Sequence, residues 1–580
     1  MKILVSYLKQ HTWLCVGVIL LATINQTFSL LDPLIFRHII DDYATKFDSF
    51  TFVEFFRGVS YLLLLAVGAA FVSRVAKNFQ DYYLNTVTQR TGAKIYNDGI
   101  EHSLALPYEV FEDQRSGETL GTLQKVRTSS ETFINAFINV LFVSIIGFIF
   151  VTIYAAKIYW GVAVVYALTI PIIGGLSYAL TAKVKKIQKI ILAETTALAG
   201  STTESLRNIE LVKSLGLVTQ EINRLNATTD KILKLELKKL RYIRSISFVQ
   251  GTLINLMRTL ILAFLLYLVF AKIVTFGQFF SLYIYSFFIF QPLQELGNVI
   301  NSYREAQVAL KRFEEIMHAP SEPKPDNSTQ IPNITHVAFK DISFKYKSAG
   351  NAALENITFE VTQGETIAFV GPSGSGKTSL VKLLVGLYTP KSGEITFNDI
   401  PMHALDMNVL RGQFGFVTQD TQLFAGTIRE NLLFVNPYAT DDECLGALAS
   451  AQCQNLLARG GAGLDTVIGE GGVKVSGGEK QRLSVARALL RKPTILIFDE
   501  ATSSLDSITE EEITKTIRDV SVGNERISVL IAHRLSTIMH ADRIYVLEKG
   551  NIVEVGNHDE LLDKKGLYFA MWRQQIGERV

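Results

Sequence analysis

Cysteine and charge are both scarce in this chain of 580 residues. Its three cysteines, Cys15, Cys444 and Cys453, are odd in number and lack the spacing of metal ligands, so they are expected to be packing residues in a reducing compartment. Charged residues make up only 19% of the chain, and the net charge is +2 without a dominant basic stripe. Nucleic acid is therefore not an expected partner.

Apolar residues, in contrast, make up 48% of the chain, and their long runs all lie before residue 300. Crossing a hydrocarbon core takes about 20 helical residues. Uncharged runs near this length, one interrupted by Arg258, cover Thr12–Leu31, Gly58–Ser73, Phe133–Ala156, Ile158–Ala182, Ile246–Ala271 and Ile273–Gln294. A single run also fits a buried core helix. Six in one half of the chain predict a membrane domain with six helices, at about 12–36, 54–80, 130–156, 158–182, 246–271 and 273–300.

The loops between these runs predict the orientation of the chain. Only Lys157 separates the third run from the fourth, and only Lys272 separates the fifth from the sixth, so the chain must turn tightly at both places. The loops over 74–132 and 183–245, in contrast, are long and rich in Lys and Arg. Basic loops stay in the cytoplasm. We therefore expect a multi-pass protein of a bacterial cytoplasmic (inner) membrane with both termini inside. If the loops are helical hairpins, their tips are expected near Gly117 and Ser205–Gly216; solvated helical extensions are the alternative.

A proline-rich stretch marks the domain boundary. Pro320, Pro323 and Pro325 lie among small and polar residues, which is typical of a semi-stiff linker. Beyond residue 336, short alternating strands and helices replace the membrane-length runs. The predicted domains are a transmembrane domain over 1–318, a linker over 319–335 and a soluble α/β domain over 336–580.

The soluble domain contains a glycine-rich loop directly after the strand-like run Thr366–Val370. Glycines let backbone N–H groups close around phosphate oxygens, and the N-terminus of the following helix favours negative charge. Lys377 is expected to reach the β- and γ-phosphates, and Thr378 to ligate magnesium. The pattern also arises by chance, but it predicts a nucleoside triphosphate bound by Gly371, Pro372, Ser373, Gly374, Ser375, Gly376, Lys377 and Thr378.

Two further segments fit the same chemistry. An apolar strand ends in Asp499 and Glu500, which suit a magnesium contact and the polarisation of an attacking water, respectively. Between the two phosphate elements, Ser476, Gly477, Gly478 and Glu479 open a helical stretch. The free N–H groups of such a helix start form a second anion site.

These motifs together resemble a half-size ATP-binding cassette (ABC) exporter of the six-helix, domain-fused kind, similar to lipid flippases and multidrug exporters. The resemblance covers both halves of the chain. It implies an all-α six-helix transmembrane domain fused to a cytoplasmic α/β P-loop ATPase domain. The ATPase motifs occur in the family's order: Tyr346, the phosphate loop, Gln419, Ser476-Gly477-Gly478, Asp499-Glu500, Asp506 in Ser504-Leu505-Asp506, and His533.

The resemblance also implies roles and cofactors. Tyr346 would stack on adenine, Gln419 would sense magnesium and the attacking water, and His533 would hold the γ-phosphate. Asp506 would belong to the nucleotide site, and ATP and magnesium would be the cofactors. Taken singly, these residues also fit a surface aromatic, a loop amide and a core histidine. One departure is the signature, where many relatives have Leu-Ser-Gly-Gly-Gln and this chain has Val475 and Glu479. A carboxylate at this position would repel a nearby phosphate.

In the family, the signature of one cassette covers the nucleotide of another, so the resemblance implies a dimer. A homodimer with two active sites is expected, and a heterodimer remains open. The implied function is ATP-driven export or flipping of a small amphipathic or lipid-like substrate by alternating access. An ATP-gated channel or a regulatory membrane ATPase without active transport is the alternative.

Two features bear on the cargo. Arg258 lies inside the fifth run, where a charge is costly and usually faces a cavity or a partner. We expect it to contact an acidic cargo group; pairing with a polar neighbour or reaching toward water is an equal alternative. The sixth run is rich in aromatic residues that could line a cavity, although contact with lipid or other helices is the simpler expectation: Phe279, Phe280, Tyr283, Tyr285, Phe287, Phe288 and Phe290.

Overall fold

The computed structural model describes residues 1–113, 116–322, 331, 333–347, 350–419, 421–469, 475–500, 507–521, 526–532 and 534–576. Two of the predicted site residues, Asp506 and His533, and most of the predicted linker lie outside these residues. The chain forms two compact units. The first contains Met1–Ala105 and Arg115–Ala319, and the second contains Leu106–Gln114 and Pro320–Val580.

The first unit is helical throughout its described residues. Two π-helical stretches, Ile39–Tyr43 and Phe137–Phe142, and a 3-10 turn at Ala44–Ser49 interrupt its α-helices. These helices are α1 (Lys2–Lys9), α2 (Thr12–Ser29), α3 (Leu31–His38), α4 (Phe52–Leu104), α6 (Ser116–Ala136), α7 (Val143–Ile158), α8 (Trp160–Arg207), α9 (Ile209–Ser214), α10 (Val218–Phe270) and α11 (Phe276–His318). Between α4 and α6, α5 (Tyr108–Asp113) belongs to the second unit.

Several of these helices are long and apolar enough to cross a membrane. In the described part of the chain, four helical segments meet this condition by length and composition: Thr12–Ser49, Phe52–Leu104, Gly121–Ile158 and Val218–Phe270. Two shorter apolar stretches, Trp160–Gly175 and Phe276–Phe290, lie within α8 and α11. Six crossings therefore remain a prediction that uses both the long and the short stretches.

The tight turns coincide with breaks in helix geometry. Tyr159 adopts an extended conformation between α7 and α8, and Lys272 has a φ of 58° before α11. Helix α11 begins at a capping box of Thr275 and Gln278. At the long loops, the first hairpin turns between α4 and α6, and Gly117 lies beside this connection, in the first turn of α6. Gly216, with a φ of 67°, does mark the turn between α9 and α10.

The aromatic residues of α11 mostly pack inside the first unit. Tyr285 is fully buried and donates its hydroxyl to the carbonyl of Leu30 at 2.6 Å. Phe279 and Phe290 are buried in the same core cluster. Burying large rings with their hydroxyls satisfied stabilises helix packing. The simpler of the two expectations, contact with neighbouring helices, describes these three residues.

The second unit is an α/β domain. Its central sheet has the strand order β12-β11-β3-β10-β9-β6, flanked by a four-stranded sheet β2-β1-β4-β5 and a pair β7-β8. The strands are β1 (His336–Phe344), β2 (Leu354–Thr362), β3 (Thr366–Val370), β4 (Ser392–Phe397), β5 (Ile400–Pro401), β6 (Phe414–Val417), β7 (Gly426–Thr427), β8 (Val467–Ile468), β9 (Ile495–Asp499), β10 (Ile527–Ile531), β11 (Arg543–Glu548) and β12 (Asn551–Gly556).

The helices of this unit cover the central sheet. They are α12 (Lys377–Leu384), α13 (Met407–Gly412), α14 (Ile428–Leu433), α15 (Asp441–Ser450), α16 (Gln454–Gly460), α17 (Gly477–Leu490), α18 (Ser507–Ser521), α19 (His558–Lys564) and α20 (Leu567–Gln575). Strand alternation divides the core into two layers. Ile495 and Ile497 of β9 face the layer that contains α12, whereas Leu496 and Phe498 face the layer that contains α17.

Parallel pairing sets the position of the site. β3, β10 and β9 lie side by side, with Phe369 opposite Ile531 and Ile531 opposite Asp499. The carboxyl ends of these three strands therefore meet at one edge of the sheet. Ligands of open parallel sheets bind at this edge.

Candidate active site

The phosphate loop connects β3 to α12 at this edge, and its glycines are required by close backbone contacts. A Cβ atom on Gly371, whose φ is 152°, would lie 2.1 Å from the carbonyl oxygen of Leu547. One on Gly376, whose φ is 107°, would lie 2.7 Å from the carbonyl oxygen of Ala353. Only glycine fits both positions. Gly376 is also the N-cap of α12 and offers no side chain to its first turn, so the N–H groups there are left for a phosphate.

Lys377 is the first residue of α12, and it is almost fully buried, with 4% of its surface exposed. Its Nζ donates to the carbonyl oxygens of Gly371 at 2.9 Å and Pro372 at 3.0 Å. Burial lowers the pKa of Lys377, while Glu500 and Asp499 oppose that effect. The ammonium group is thus held inside the loop, where phosphate oxygens can replace the two carbonyls as acceptors.

Asp499 and Glu500 lie at the end of β9 and are both buried. Glu500 adopts a φ of 50°, an unusual conformation for a residue with a side chain, and its N–H donates to the carbonyl oxygen of Ile531 at 2.8 Å. Strained backbone of this kind costs of order 1–3 kcal/mol and is concentrated at functional sites. Asp499 and Glu500 are therefore two consecutive buried carboxylates at a sharp turn of the backbone.

The carboxylate of Asp499 fits a magnesium ion. Its Oδ1 is buried and has no hydrogen-bond partner among the described residues. Burial, together with the charge of Glu500 and against that of Lys377, raises the pKa of Asp499 to about 6. An unsatisfied buried carboxylate oxygen is costly unless a cation compensates it. Thr378, at the start of α12, is exposed, and its hydroxyl together with a carboxylate would supply the oxygen donors that magnesium prefers.

Tyr346 follows β1 and lies beside α12. Its hydroxyl is 2.9 Å from the Ser379 hydroxyl, and its ring packs edge-on against Phe344 and Tyr388. The side chain is partly exposed, and an aromatic ring can stack on a planar base. The position suits the predicted adenine contact.

Tyr346 and Lys347 lie in a region with contacts that the sequence does not predict. Helix α5 contacts this region, because Tyr108 packs against Tyr388 at 5.7 Å and Lys347 pairs with Glu109 at 2.8 Å. The ammonium of Lys382, on α12, lies within 6 Å of three tyrosine ring centres, those of Tyr108, Tyr346 and Tyr388. No sequence spacing links these residues.

Gln419 lies just after β6, whose Val417 is opposite Phe498 of β9, and its side chain is exposed. The segment it begins is tied to α17 through a hydrogen bond of 2.7 Å from the Thr421 hydroxyl to Gln481. Gln419 is therefore placed near the end of the strand that carries Asp499, as its predicted role in the metal and water site requires.

The signature forms the first turn of α17. Ser476 is the N-cap, and a capping box joins it to Glu479: Ser476 N donates to Glu479 Oε2 at 2.8 Å, and Glu479 N donates to Ser476 Oγ at 3.3 Å. Val475 packs against the core at its partly buried position, as a leucine would. In the described residues, the side-chain bonds of Glu479 go to this box and to Arg459. The signature is thus built separately from the phosphate loop.

Near the end of β10, Ala532 immediately precedes His533. On the far side, the N–H of Leu535 donates to Gln575 Oε1 of α20 at 2.8 Å. The C-terminal helix therefore anchors the chain that leaves the His533 position.

In the first unit, Arg258 of α10 is held by neighbours on its own chain. Its Nη2 donates to Asn255 Oδ1 at 3.2 Å, and its guanidinium lies 4.2 Å from the ring centre of Phe287. Arg258 thus pairs with a polar neighbour. Contact with an acidic cargo group is also compatible with this geometry, because Arg258 and Phe287 are only partly buried.

Comparisons with known proteins agree with this architecture. The ABC transporter family matches residues 354–503, and the ABC transporter transmembrane region family matches residues 14–293. The uncharacterized ABC transporter ATP-binding protein YfiC of Bacillus subtilis (strain 168) is 31% identical over 98% of this chain and 93% of its own length. The leukotoxin translocation ATP-binding protein LktB of Mannheimia haemolytica is 30% identical over 95% of this chain and 77% of its own.

A solved structure of a bacterial Atm1-family ABC exporter with ATP bound has a TM-score of 0.87 at 26% identity, and the match covers 98% of this chain and 99% of that one. A helical transmembrane region fused to an α/β ATPase defines a half-size exporter. This chain belongs to the ABC transporter family. It binds ATP with magnesium and couples ATP hydrolysis to export across a membrane, and half-size exporters of this kind function as dimers.

Proposed function

We propose that two copies of this chain form a homodimeric exporter with two composite ATP sites, and that its cargo is a small amphipathic or lipid-like molecule with an acidic group. The proposed location is a bacterial cytoplasmic membrane, with the second unit and both termini in the cytoplasm. The observation that carries the proposal is the convergence of the phosphate loop, Asp499 and Glu500 at one edge of the central sheet.

The arrangement supports phosphoryl transfer to water. The first turn of α12 and Lys377 hold and neutralise the phosphate oxygens. Glu500 accepts a proton from the attacking water while the oxygen of that water bonds to the γ-phosphorus. The bond between the γ-phosphorus and the oxygen that bridges it to the β-phosphate breaks, which leaves ADP and phosphate. Asp499 and Thr378 would hold magnesium, which would supply further charge neutralisation. Gln419 and His533 are proposed to position the water, and Asp506 to contact the nucleotide.

Exposed apolar surface supports a second copy as partner. In the first unit, Leu206, Leu211 and Leu215 at the tip of the second hairpin are 65%, 58% and 60% exposed. In the second unit, Phe434 and Tyr438 are 61% and 94% exposed. Apolar side chains clustered at a cytoplasmic hairpin tip favour an interaction. In the proposed homodimer, a second copy is the partner that would cover this apolar surface.

The acidic group of the cargo is inferred from Arg258 and Phe287. A guanidinium over an aromatic ring keeps N–H donors available at its edge, so the same pair can bind a carboxylate or phosphate and an apolar chain. The cost of a charge inside a membrane span is justified by such a role.

The test is magnesium-dependent ATP hydrolysis and ATP-driven cargo uptake in inverted vesicles, beside Glu500→Gln and Arg258→Ala. Glu500→Gln is expected to reduce hydrolysis by about 10²-fold or more. Arg258→Ala should leave basal hydrolysis intact and lose uptake of acidic cargo, with Lys272→Ala as the matched loss of a membrane-domain charge. Unchanged uptake of every acidic cargo by Arg258→Ala would overturn the cargo assignment. Hydrolysis without uphill uptake would favour the gated-channel or regulatory alternative.

A further inference from the structure

The signature helix α17 carries a carboxylate in its first turn, where many relatives have a neutral glutamine. An ionised carboxylate facing the phosphates of ATP weakens their binding, because like charges repel strongly at partly buried sites. In the proposed homodimer, this turn faces the γ-phosphate of the ATP held by the second copy. The sequence therefore leaves a problem of charge at Glu479.

A cation from a different helix pairs with this carboxylate. Arg459 Nη2 lies 3.0 Å from Glu479 Oε2, and the Glu479 side chain is only 14% exposed. Arg459 lies in the last turn of α16, which ends at Gly461 in a left-handed conformation with a φ of 71°. The ending of α16 thus brings a guanidinium to the start of a helix that begins 18 residues further along the chain.

Glu479 is ionised in this environment. Burial alone would raise the pKa of its carboxyl group, but the N–H and hydroxyl of Ser476 and the charge of Arg459 together lower it. At neutral pH the carboxylate and the guanidinium form a neutral pair. The capping box holds this carboxylate in place: Ser476 N donates to Glu479 Oε2, and Ser476 Oγ accepts from Glu479 N.

We propose that Arg459 is a positioning residue of the composite ATP site: it neutralises Glu479 and fixes its carboxylate in the capping box, so that the signature can approach the γ-phosphate bound by the second copy. The inference rests on the proposed homodimer. It assigns this function to a residue outside the family motifs.

The pair predicts opposite effects of its two members. Arg459→Ala leaves one uncompensated negative charge at the signature and raises the ATP concentration for half-maximal hydrolysis about threefold to tenfold. Glu479→Gln leaves one positive charge and lowers that concentration. The double variant restores neutrality and returns it to within about twofold of the wild type, as does Arg459→Lys alone.

The experiment measures half-maximal ATP concentration and maximal rate for the full-length protein in lipid nanodiscs, at low and high salt. Lys492→Ala is the matched control, because Lys492 forms a similar pair with Glu443 just beyond the other end of α17. It should change the half-maximal concentration by less than about twofold. High salt should reduce the Arg459→Ala defect, since screening weakens repulsion between partly exposed charges.

The outcomes separate the inference from the function on which it rests. A wild type without magnesium-dependent hydrolysis and without ATP binding overturns the proposed function, and the inference with it. An active wild type in which the double variant is as impaired as Arg459→Ala shows that Arg459 only holds α16 in place. Equal ATP dependence of Arg459→Ala and the wild type also contradicts the proposal. Restoration by Glu479→Gln supports it.

Discussion

Helices α12 and α17 both begin with glycine-rich sequence, yet their first turns satisfy their N–H groups in opposite ways. α12 begins after Gly376, which has no side chain to cap it, and its first residue is the buried cation Lys377. α17 begins after Ser476, and its own Glu479 closes a capping box. The first helix is therefore incomplete without an anion, whereas the second is already satisfied.

This difference indicates how ATP binding is divided between the two ends. An open helix start with a buried ammonium provides most of the affinity for phosphate. A self-capped start with a neutral Arg459–Glu479 pair provides orientation and few new charges. In the proposed homodimer, such a division would let one cassette hold ATP tightly while the signature of the second copy docks and leaves during each cycle.

The largest test of the comparison removes the cation of α12. Lys377→Ala should weaken ATP binding by about 10- to 100-fold, because hydrogen bonds to charged groups contribute about 1.5–3 kcal/mol each. Lys480→Ala, which removes an exposed cation near the start of α17, should change ATP binding by less than about threefold. Binding of a fluorescent ATP analogue measures both. Equal losses would remove the distinction between the two helix starts.

The second test concerns Asp499, the buried carboxylate at the end of β9. Asp499 has a pKa of about 6 in the folded chain and an ordinary value of 3.8. Its contribution to stability is complete below pH 4 and is lost as the pH rises through 6, which amounts to about 3 kcal/mol. Without magnesium or ATP, Asp499→Asn should therefore raise the melting midpoint at pH 7.5 by several degrees, and by much less at pH 4.5. It should also abolish magnesium-dependent hydrolysis.

Thermal unfolding at the two pH values, followed by circular dichroism, measures this effect. Glu360→Gln, on the exposed face of β2, is the control for loss of a carboxylate. A midpoint for Asp499→Asn that falls at pH 7.5 would contradict an uncompensated buried charge at this position.

The third test removes the cap of α17. Ser476→Ala loses the N-cap, which costs about 1 kcal/mol of stability, and it also loosens the capping box that positions the proposed signature site. Hydrolysis should fall about tenfold, with a smaller change in ATP binding by a single cassette. Ser476→Thr keeps both functions and should retain most of the activity. If Ser476→Ala weakened only ATP binding, the signature would provide ATP affinity as the phosphate loop does, which would contradict the comparison.

The smallest effect is expected at Tyr346. Tyr346→Phe removes the 2.9 Å contact with Ser379 but keeps the ring, so ATP affinity should change by about twofold or less. Tyr346→Ala removes the stacking surface and should weaken affinity about threefold to tenfold. Discrimination between ATP and a triphosphate without a purine base should be reduced by Tyr346→Ala alone. Similar effects of both variants would indicate that the hydroxyl, not the ring, binds the nucleotide.

Much of this molecule was predictable because its signals are local. The phosphate loop lies between β3 and α12, as the strand-like run and the glycine spacing predicted, and Asp499 ends a buried strand. The first hairpin turns close to Gly117, since α6 begins one residue before it. The sequence shows the carboxylate of Glu479 in the signature but not its pairing with Arg459, since no periodicity links α16 to α17.

The sequence by itself determined the class of chemistry, because phosphate binding depends on glycines, a lysine and carboxylates at fixed short spacings. It also located the long apolar runs, because such runs are recognised from their length and composition alone. The tertiary structure decided which distant residues meet: Tyr108 with Tyr388, Gln575 with Leu535 and Arg459 with Glu479. It also set the raised pKa of Asp499. Burial and charge at these positions arise from packing between separate elements, which spacing along the chain does not specify.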